Sequence, residues 1–142
     1  MKIISEGLLF FHLMLGVFYS QSIRNPSNQL IYELTSDGFL YNSSNQVVAN
    51  FSDSNFIFDK NNQTLGKIKD DGTIWNISNK KLGKIKRDGT VWNNSNQKLG
   101  YISPKGKIRN KNNVLLGRGN GVDKKILAII FFFNFFESNL IE

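Results

Sequence analysis

The sequence predicts an all-β fold, a closed, propeller-like ring of five 17-residue β-hairpin repeats with a C-terminal hydrophobic helix or plug. Three observations predict it. The chain repeats itself every 17 residues, a glycine recurs at the turn of nearly every block, and the segments between turns are short and rich in β-branched and aromatic residues. A 3.6-residue hydrophobic period is absent from the blocks, which argues against helices there.

The blocks align without gaps. Gln63–Asn79 reads QTLGKIKDDGTIWNISN, Lys80–Asn96 reads KKLGKIKRDGTVWNNSN and Gln97–Asn113 reads QKLGYISPKGKIRNKNN. Two divergent blocks precede them, Gln29–Asn45 (QLIYELTSDGFLYNSSN) and Gln46–Asn62 (QVVANFSDSNFIFDKNN). Gly38, Gly72, Gly89 and Gly106 fall on one position of the period, where Asn55 is expected to substitute as the next residue to tolerate a positive φ. Gly66, Gly83, Gly100 and Gly117 mark a second position, the last of them opening an incomplete sixth block. In the third block, Leu65–Lys69 reads as an outgoing strand, Asp70-Asp71-Gly72 as the hairpin turn, and Thr73–Asn76 as the return strand. Ser78 and Asn79 form the turn into the next block.

Strict alternation assigns the faces. Gly66 and Ile68 share one face of the outgoing strand, and Leu65, Lys67 and Lys69 share the other. A glycine at a fixed strand position marks a close approach, so Gly66, Gly83 and Gly100 belong near the ring axis, with Ala49 as a small substitute. Tyr32 breaks that rule, so the first block must differ locally. Leu34, Phe51, Ile68, Ile85 and Ile102 form one expected core layer, and Leu40, Ile57, Ile74, Val91 and Ile108 a second. One hairpin is marginal alone, so the blocks must pack together, and closing them into a ring removes exposed edges.

Both ends of the chain read differently from the repeats. Lys2, the mostly apolar run Leu8–Phe18 and the small or polar Ser20, Gln21 and Ser22 resemble a secretory signal cut after Ser20. An uncleaved N-terminal anchor is the other reading. Near the C-terminus, Asp123 is placed to cap a helix starting at Lys124. Ile126–Phe136 (ILAIIFFFNFF) has 11 residues, apolar except Asn134, too few to span a bilayer as a helix. It is expected to plug the ring, to pair with the first blocks as a strand, or to serve as an association surface. The expected organisation is a signal peptide over 1–20, a lead-in over 21–28, the repeat domain with its closing partial repeat over 29–123, and a hydrophobic segment over 124–142.

Composition narrows the chemistry. The 142 residues include no cysteine and one histidine, His12, inside the expected signal. The mature chain would then lack the usual neutral-pH general base and the usual zinc ligands. No catalytic residue, metal ligand or cofactor site is expected, and the chain reads as a non-enzymatic, exported structural or binding module of the periplasm or cell surface. The formal charge is +7. Lys67 and Lys84 share one repeat position and Lys69 and Lys86 another, with Lys105 and Lys107 close by, so a closed ring would carry a basic band. That band would suit a glycan, an anionic surface or solvent; nucleic acid is not expected for an exported protein. Tyr41, Phe58, Trp75 and Trp92 recur at one position, with Arg109 in the fifth block. They would stack on sugars or, for Trp75 and Trp92, pack over Leu65 and Leu82 as an outer apolar layer. Asp70, Asp71 and Asp88 sit where turns favour Asp, without the spacing of a catalytic pair. The Asn-X-Ser/Thr sequences at Asn42, Asn50, Asn62, Asn76 and Asn93 arise from the repeated turn chemistry.

The segments Ile31–Phe51, the LGKIKxDGTxWN blocks and Leu116–Phe133 together resemble the five-fold β-flower proteins of Bacteroidota. The likeness covers nearly the whole expected mature chain. It implies a ring of β repeats with a C-terminal hydrophobic segment, and it transfers no functional residue.

Overall fold

A computed structural model describes residues 20–136. The expected signal segment, apart from Ser20, lies outside the described residues, as do residues 137–142. The strands are β1 (Ser20–Arg24), β2 (Leu30–Thr35), β3 (Phe39–Asn42), β4 (Val47–Asn50), β5 (Phe56–Asp59), β6 (Thr64–Ile68), β7 (Thr73–Asn76), β8 (Lys81–Ile85), β9 (Thr90–Asn93), β10 (Lys98–Ile102), β11 (Lys107–Asn110) and β12 (Leu115–Arg118). One helix, α1 (Lys124–Phe132), follows them. The strands form a closed antiparallel barrel in which each pairs with its sequence neighbours and β1 pairs with β12.

The five continuous blocks supply five hairpins, β2–β3 to β10–β11. A sixth is split between the two ends: β12 is its outgoing strand and β1 its return strand, joined at Arg24↔Arg118. The lead-in is therefore half of a block. Asn28 confirms its register, because its φ of 65° matches that of Asn45, Asn62, Asn79, Asn96 and Asn113, each 17 residues further on. We number the resulting blades 1 to 6 in block order, with the split blade sixth.

Two turn types alternate around the ring. At one end, Gly72 (φ 85°) accepts the Ile85 N–H, which ties the blade 3 turn to blade 4. A Cβ on Gly72 would fall 2.2 Å from the Ile85 carbonyl oxygen, so glycine is required twice over, for φ and for space. Gly38, Gly89 and Gly106 make the same bond to the next blade. Asn55 keeps that bond, accepting the Ile68 N–H, but it does not have the positive φ expected of it. Its turn is built instead by Asp53, whose side chain accepts the Asn55 N–H and whose carbonyl accepts the Phe56 N–H. At the opposite end the left-handed residues are the asparagines just described, and Asn42, Asp59, Asn76, Asn93 and Asn110 each accept the N–H four residues on.

A bulge in each blade overturns one expectation about faces. Ile74 stands opposite Gly83 and Trp75 opposite Lys81, leaving Leu82 as an extra residue on β8. The same shift leaves Ile31, Val48, Leu65, Leu99 and Leu116 extra in the other blades. A bulge re-aims the inserted side chain, so alternation no longer holds across it. Leu65 does not join Lys67 on the outside; it packs against the core, as do Val48, Leu99 and Leu116.

The core consists of both expected layers, all buried, together with Ile23 of the split blade and α1. Asp123 caps α1 by accepting the Lys125 N–H, and Leu127, Ala128, Ile129 and Ile130 are buried inside the barrel. Asn134, at φ 52°, ends the helix in the left-handed conformation common just past a C-terminus. The phenylalanines then fan across the strand glycines. Phe131 meets Gly117, Phe132 meets Gly100, Phe133 meets Gly83 and Phe135 meets Gly66, each ring within 2.6–2.7 Å of where a Cβ would stand. Phe136 packs edge-on to Phe51 of blade 2. In blade 1 Tyr32 occupies the glycine position and buries its own ring there, which raises its pKa by desolvation. The glycines clear the axis for rings supplied by the plug. Among the described residues no helix is long and apolar enough to cross a membrane.

Candidate functional site: an outer belt of lysines and aromatics

The return strands carry one outward position that recurs around the barrel. Tyr41 stands opposite Glu33, Phe58 opposite Asn50, Trp75 opposite Lys67, Trp92 opposite Lys84, and Arg109 opposite Tyr101. The expected residues thus form a belt, but they do not form one uniform surface. Phe58 packs beside Phe56, with centroids 6.0 Å apart. Arg109 donates to the Asn113 carbonyl, and Arg24 in the split blade donates likewise to Asn28.

Blades 3 and 4 hold the most developed arrangement, and it is the same in both. In the sequence Asp71-Gly72-Thr73-Ile74-Trp75, residues 73 and 75 lie on one face of β7. The Trp75 Nε1–H donates to Thr73 Oγ1 (2.9 Å), and that hydroxyl donates to Asp71 Oδ1 (2.6 Å), which also accepts the Thr73 N–H. Trp92, Thr90 and Asp88 repeat this chain at 2.9 and 2.6 Å. The Lys69 Nζ lies over the Trp75 ring at 4.1 Å, and the Lys86 Nζ over Trp92 at 4.4 Å. Each indole is therefore fixed at its edge and covered on one face by a cation, an attraction between ammonium and ring quadrupole.

Sequence reasoning named Lys67, Lys69, Lys84 and Lys86, and the fold brings them to the two tryptophans. It missed the lysines on the far side of each ring. Trp75 also stands opposite Lys81, and Trp92 opposite Lys98, across the bulged strand pairs. Each indole is thus framed by three lysines from two different blocks, a pairing that needs the inter-blade register. Thr73 and Thr90 were missed too, although Asp-Gly-Thr-X-Trp, written twice, was the available signal.

The carboxylates serve the turns. Hydrogen bonds from the Thr73 side chain and N–H lower the Asp71 pKa, and Thr90 does the same for Asp88. A shift downward keeps these groups ionised, the opposite of what a proton donor at neutral pH requires. Asp70 and Asp71 share a cleft near the start of α1 with Asp123 and with Lys84, Lys86, Arg87, Lys124 and Lys125, so cations outnumber carboxylates there. Among the described residues no group of three or more His, Asp, Glu or Cys is placed to hold a metal ion.

This architecture, a closed antiparallel ring of hairpin repeats around a C-terminal plug, defines the class of protein. Residues 20–136 match the family described as 5-fold beta-flower protein, and the chain belongs to that family. No curated protein and no solved structure matches it.

Proposed function

We propose that the protein is an exported, non-enzymatic binding module that works through the outside of its ring. The observation that carries this reading is the filled interior. Leu127, Ile129 and both aliphatic layers leave the axis to the protein's own side chains, so a ligand has the wall and the two ends to meet. The belt on blades 3 and 4 is the most organised part of that wall. Its indoles are half-buried and its lysines reach solvent, a combination suited to a glycan or to an anionic surface. The single histidine inside the expected leader supports a function without acid–base catalysis. The leader itself, from Lys2 through Phe18, supports export.

The test is titration of tryptophan fluorescence with neutral and acidic oligosaccharides. Saturable quenching that is lost in Trp92→Ala supports the wall as the binding face, and no response from any sugar or polyanion refutes it. A second reading, a subunit held to its neighbours by Ile126–Phe136, rests on the half-buried state of Phe131, Phe132, Phe133, Phe135 and Phe136 at one mouth of the ring. Light scattering separates it from the first. A detergent-free monomer leaves the wall as the working surface, and a defined oligomer that dissociates when the mouth phenylalanines are shortened supports the subunit reading.

A further inference from the structure

Charge is segregated across the ring. Blades 1 and 2 (Gln29–Asn62) carry four carboxylates, Glu33, Asp37, Asp53 and Asp59, against the single cation Lys60. Blades 4 and 5 (Lys80–Asn113), an equal length of chain, carry ten lysines and arginines against the single carboxylate Asp88. With six blades in the closed order, blade 4 lies across the axis from blade 1, and blade 5 from blade 2. Separation by the width of the barrel, in salt that screens beyond about 8 Å, lets the basic arc act as its own field rather than being cancelled by the acidic one.

The arc also has internal order. Reading across the strands, Lys67, Trp75 and Lys81 are followed by Lys84, Trp92 and Lys98, then by Tyr101 and Arg109. Equivalent positions on β7 and β9 are two strands apart, which is about 10 Å at the usual strand spacing. Lys69 and Lys86 are held over their indoles while remaining exposed. An ammonium already placed loses less side-chain freedom when an anion arrives, so these two are preorganised contacts.

We propose that blades 3 to 5 bind a sulfated or carboxylated polysaccharide laid around the wall, across the strands. This deepens the proposed function and rests on its assignment of binding to the wall. The occupant follows from shape and from the covered rings. The wall is convex, and a DNA duplex, stiff over about 50 nm, does not bend around it without cost. Single-stranded nucleic acid binds by stacking bases on open aromatic faces, and here Lys69 and Lys86 cover one face of each indole. A flexible saccharide chain needs no stacking to place anionic groups against a row of cations, and its apolar ring faces fit the indole edges between them. A second copy, docking its acidic arc, would bring four carboxylates against ten cations and leave most of the charge unmatched.

The experiment is affinity of the full-length chain for dextran sulfate, with unsulfated dextran of the same length as the neutral probe. Dextran sulfate is expected to bind at low salt, to weaken steeply as salt rises, and to outcompete dextran. The triple variant Lys84→Gln/Lys98→Gln/Arg109→Gln is expected to weaken it by about tenfold, from three exposed charge pairs. Lys60→Gln, on the opposite side, is expected to leave it unchanged. Melting curves of each variant verify folding, and the single variants Lys84→Gln and Lys98→Gln replace the triple if it melts early. Quenching by neutral sugars without dextran sulfate binding overturns the inference and leaves the wall reading standing. Equal loss in Lys60→Gln, no loss in the lysine variants, equal affinity for single-stranded DNA or phosphatidylserine vesicles, or self-association at low salt each overturns it as well.

Discussion

Replacing Gly117 by alanine tests whether the strand glycines exist to seat the phenylalanine fan. Of the four, Gly117 has the most lenient surroundings. A Cβ there would stand 2.6 Å from the Arg24 carbonyl oxygen and 2.6 Å from Phe131 Cζ, whereas at Gly83 the carbonyl is only 2.1 Å away. Overpacking a tight interior costs about 1–3 kcal/mol, and we take ~2, half from the ring and half from the carbonyl. Phe131→Ala removes a half-buried ring, for about 2 kcal/mol, below the 3–5 of a fully buried one. If the glycine makes room for the ring, the new methyl occupies space that Phe131→Ala vacates, and the double variant costs about 3 rather than 4 kcal/mol. For a domain of this size each kcal/mol moves the midpoint by about 4 °C, so the double variant melts about 12 °C early instead of 16. Thermal unfolding of the four proteins, followed by circular dichroism, reads this directly. Additivity within about 0.5 kcal/mol would sink the reasoning, because the glycine would then answer only to the β1 carbonyl.

Three further outcomes follow from the turns and the belt. Asp71 and Asp88 have folded pKa values below the ordinary 3.8, so their contribution to stability is present above that value and is lost as pH falls through the lower folded value. The acid side of the stability profile should therefore be shallower in Asp71→Asn/Asp88→Asn, measured by urea unfolding between neutral pH and pH of about 2. Thr90→Val removes the acceptor for the Trp92 Nε1–H and the donor to Asp88, and should cost about 1 kcal/mol and change Trp92 emission, while Thr90→Ser retains both bonds. Asn79, at φ 63°, should accept glycine with little change but lose about 1 kcal/mol as alanine, read as a shift in urea midpoint.

The repeat made most of the fold legible. Period, turn glycines and the two aliphatic layers were all readable from Gln29 to Asn113, and the glycine row was rightly placed at the axis. Three features were hidden, each for a physical reason. The bulge at Leu65 and its equivalents adds one residue to one strand of a pair, and a count of alternation in a single strand cannot register that. The sixth blade is written in two pieces, and its first piece carries only the return half of the motif, Ile23-Arg24-Asn25 with Asn28 in the turn, matching Ile108-Arg109-Asn110 and Asn113. The lysine triads depend on contacts between blocks, since Lys98 belongs to the fifth block and frames the tryptophan of the fourth. The aromatic row itself was legible, but not that each tryptophan edge is tied to threonine and each face shared with a lysine.

The sixth blade is also what gives the surface its polarity. Inside the barrel the blocks are nearly interchangeable: Leu40, Ile57, Ile74, Val91 and Ile108 fill one layer, and each is fully buried. Such positions are held to apolar residues of similar volume by packing. The wall carries no such constraint, and there the blocks differ in sign of charge as well as in residue type. Without the split blade, five hairpins would place no blade directly across from another, and the acidic and basic arcs would meet obliquely. The β12–β1 closure puts the two acidic blocks across from the two most basic ones, leaving blades 3 and 6 as the boundaries between them. Where a repeat fold keeps its interior uniform and sorts its exterior into opposite halves, the wall is the part free to specify a partner, and the two Trp–Lys units lie where its basic half begins.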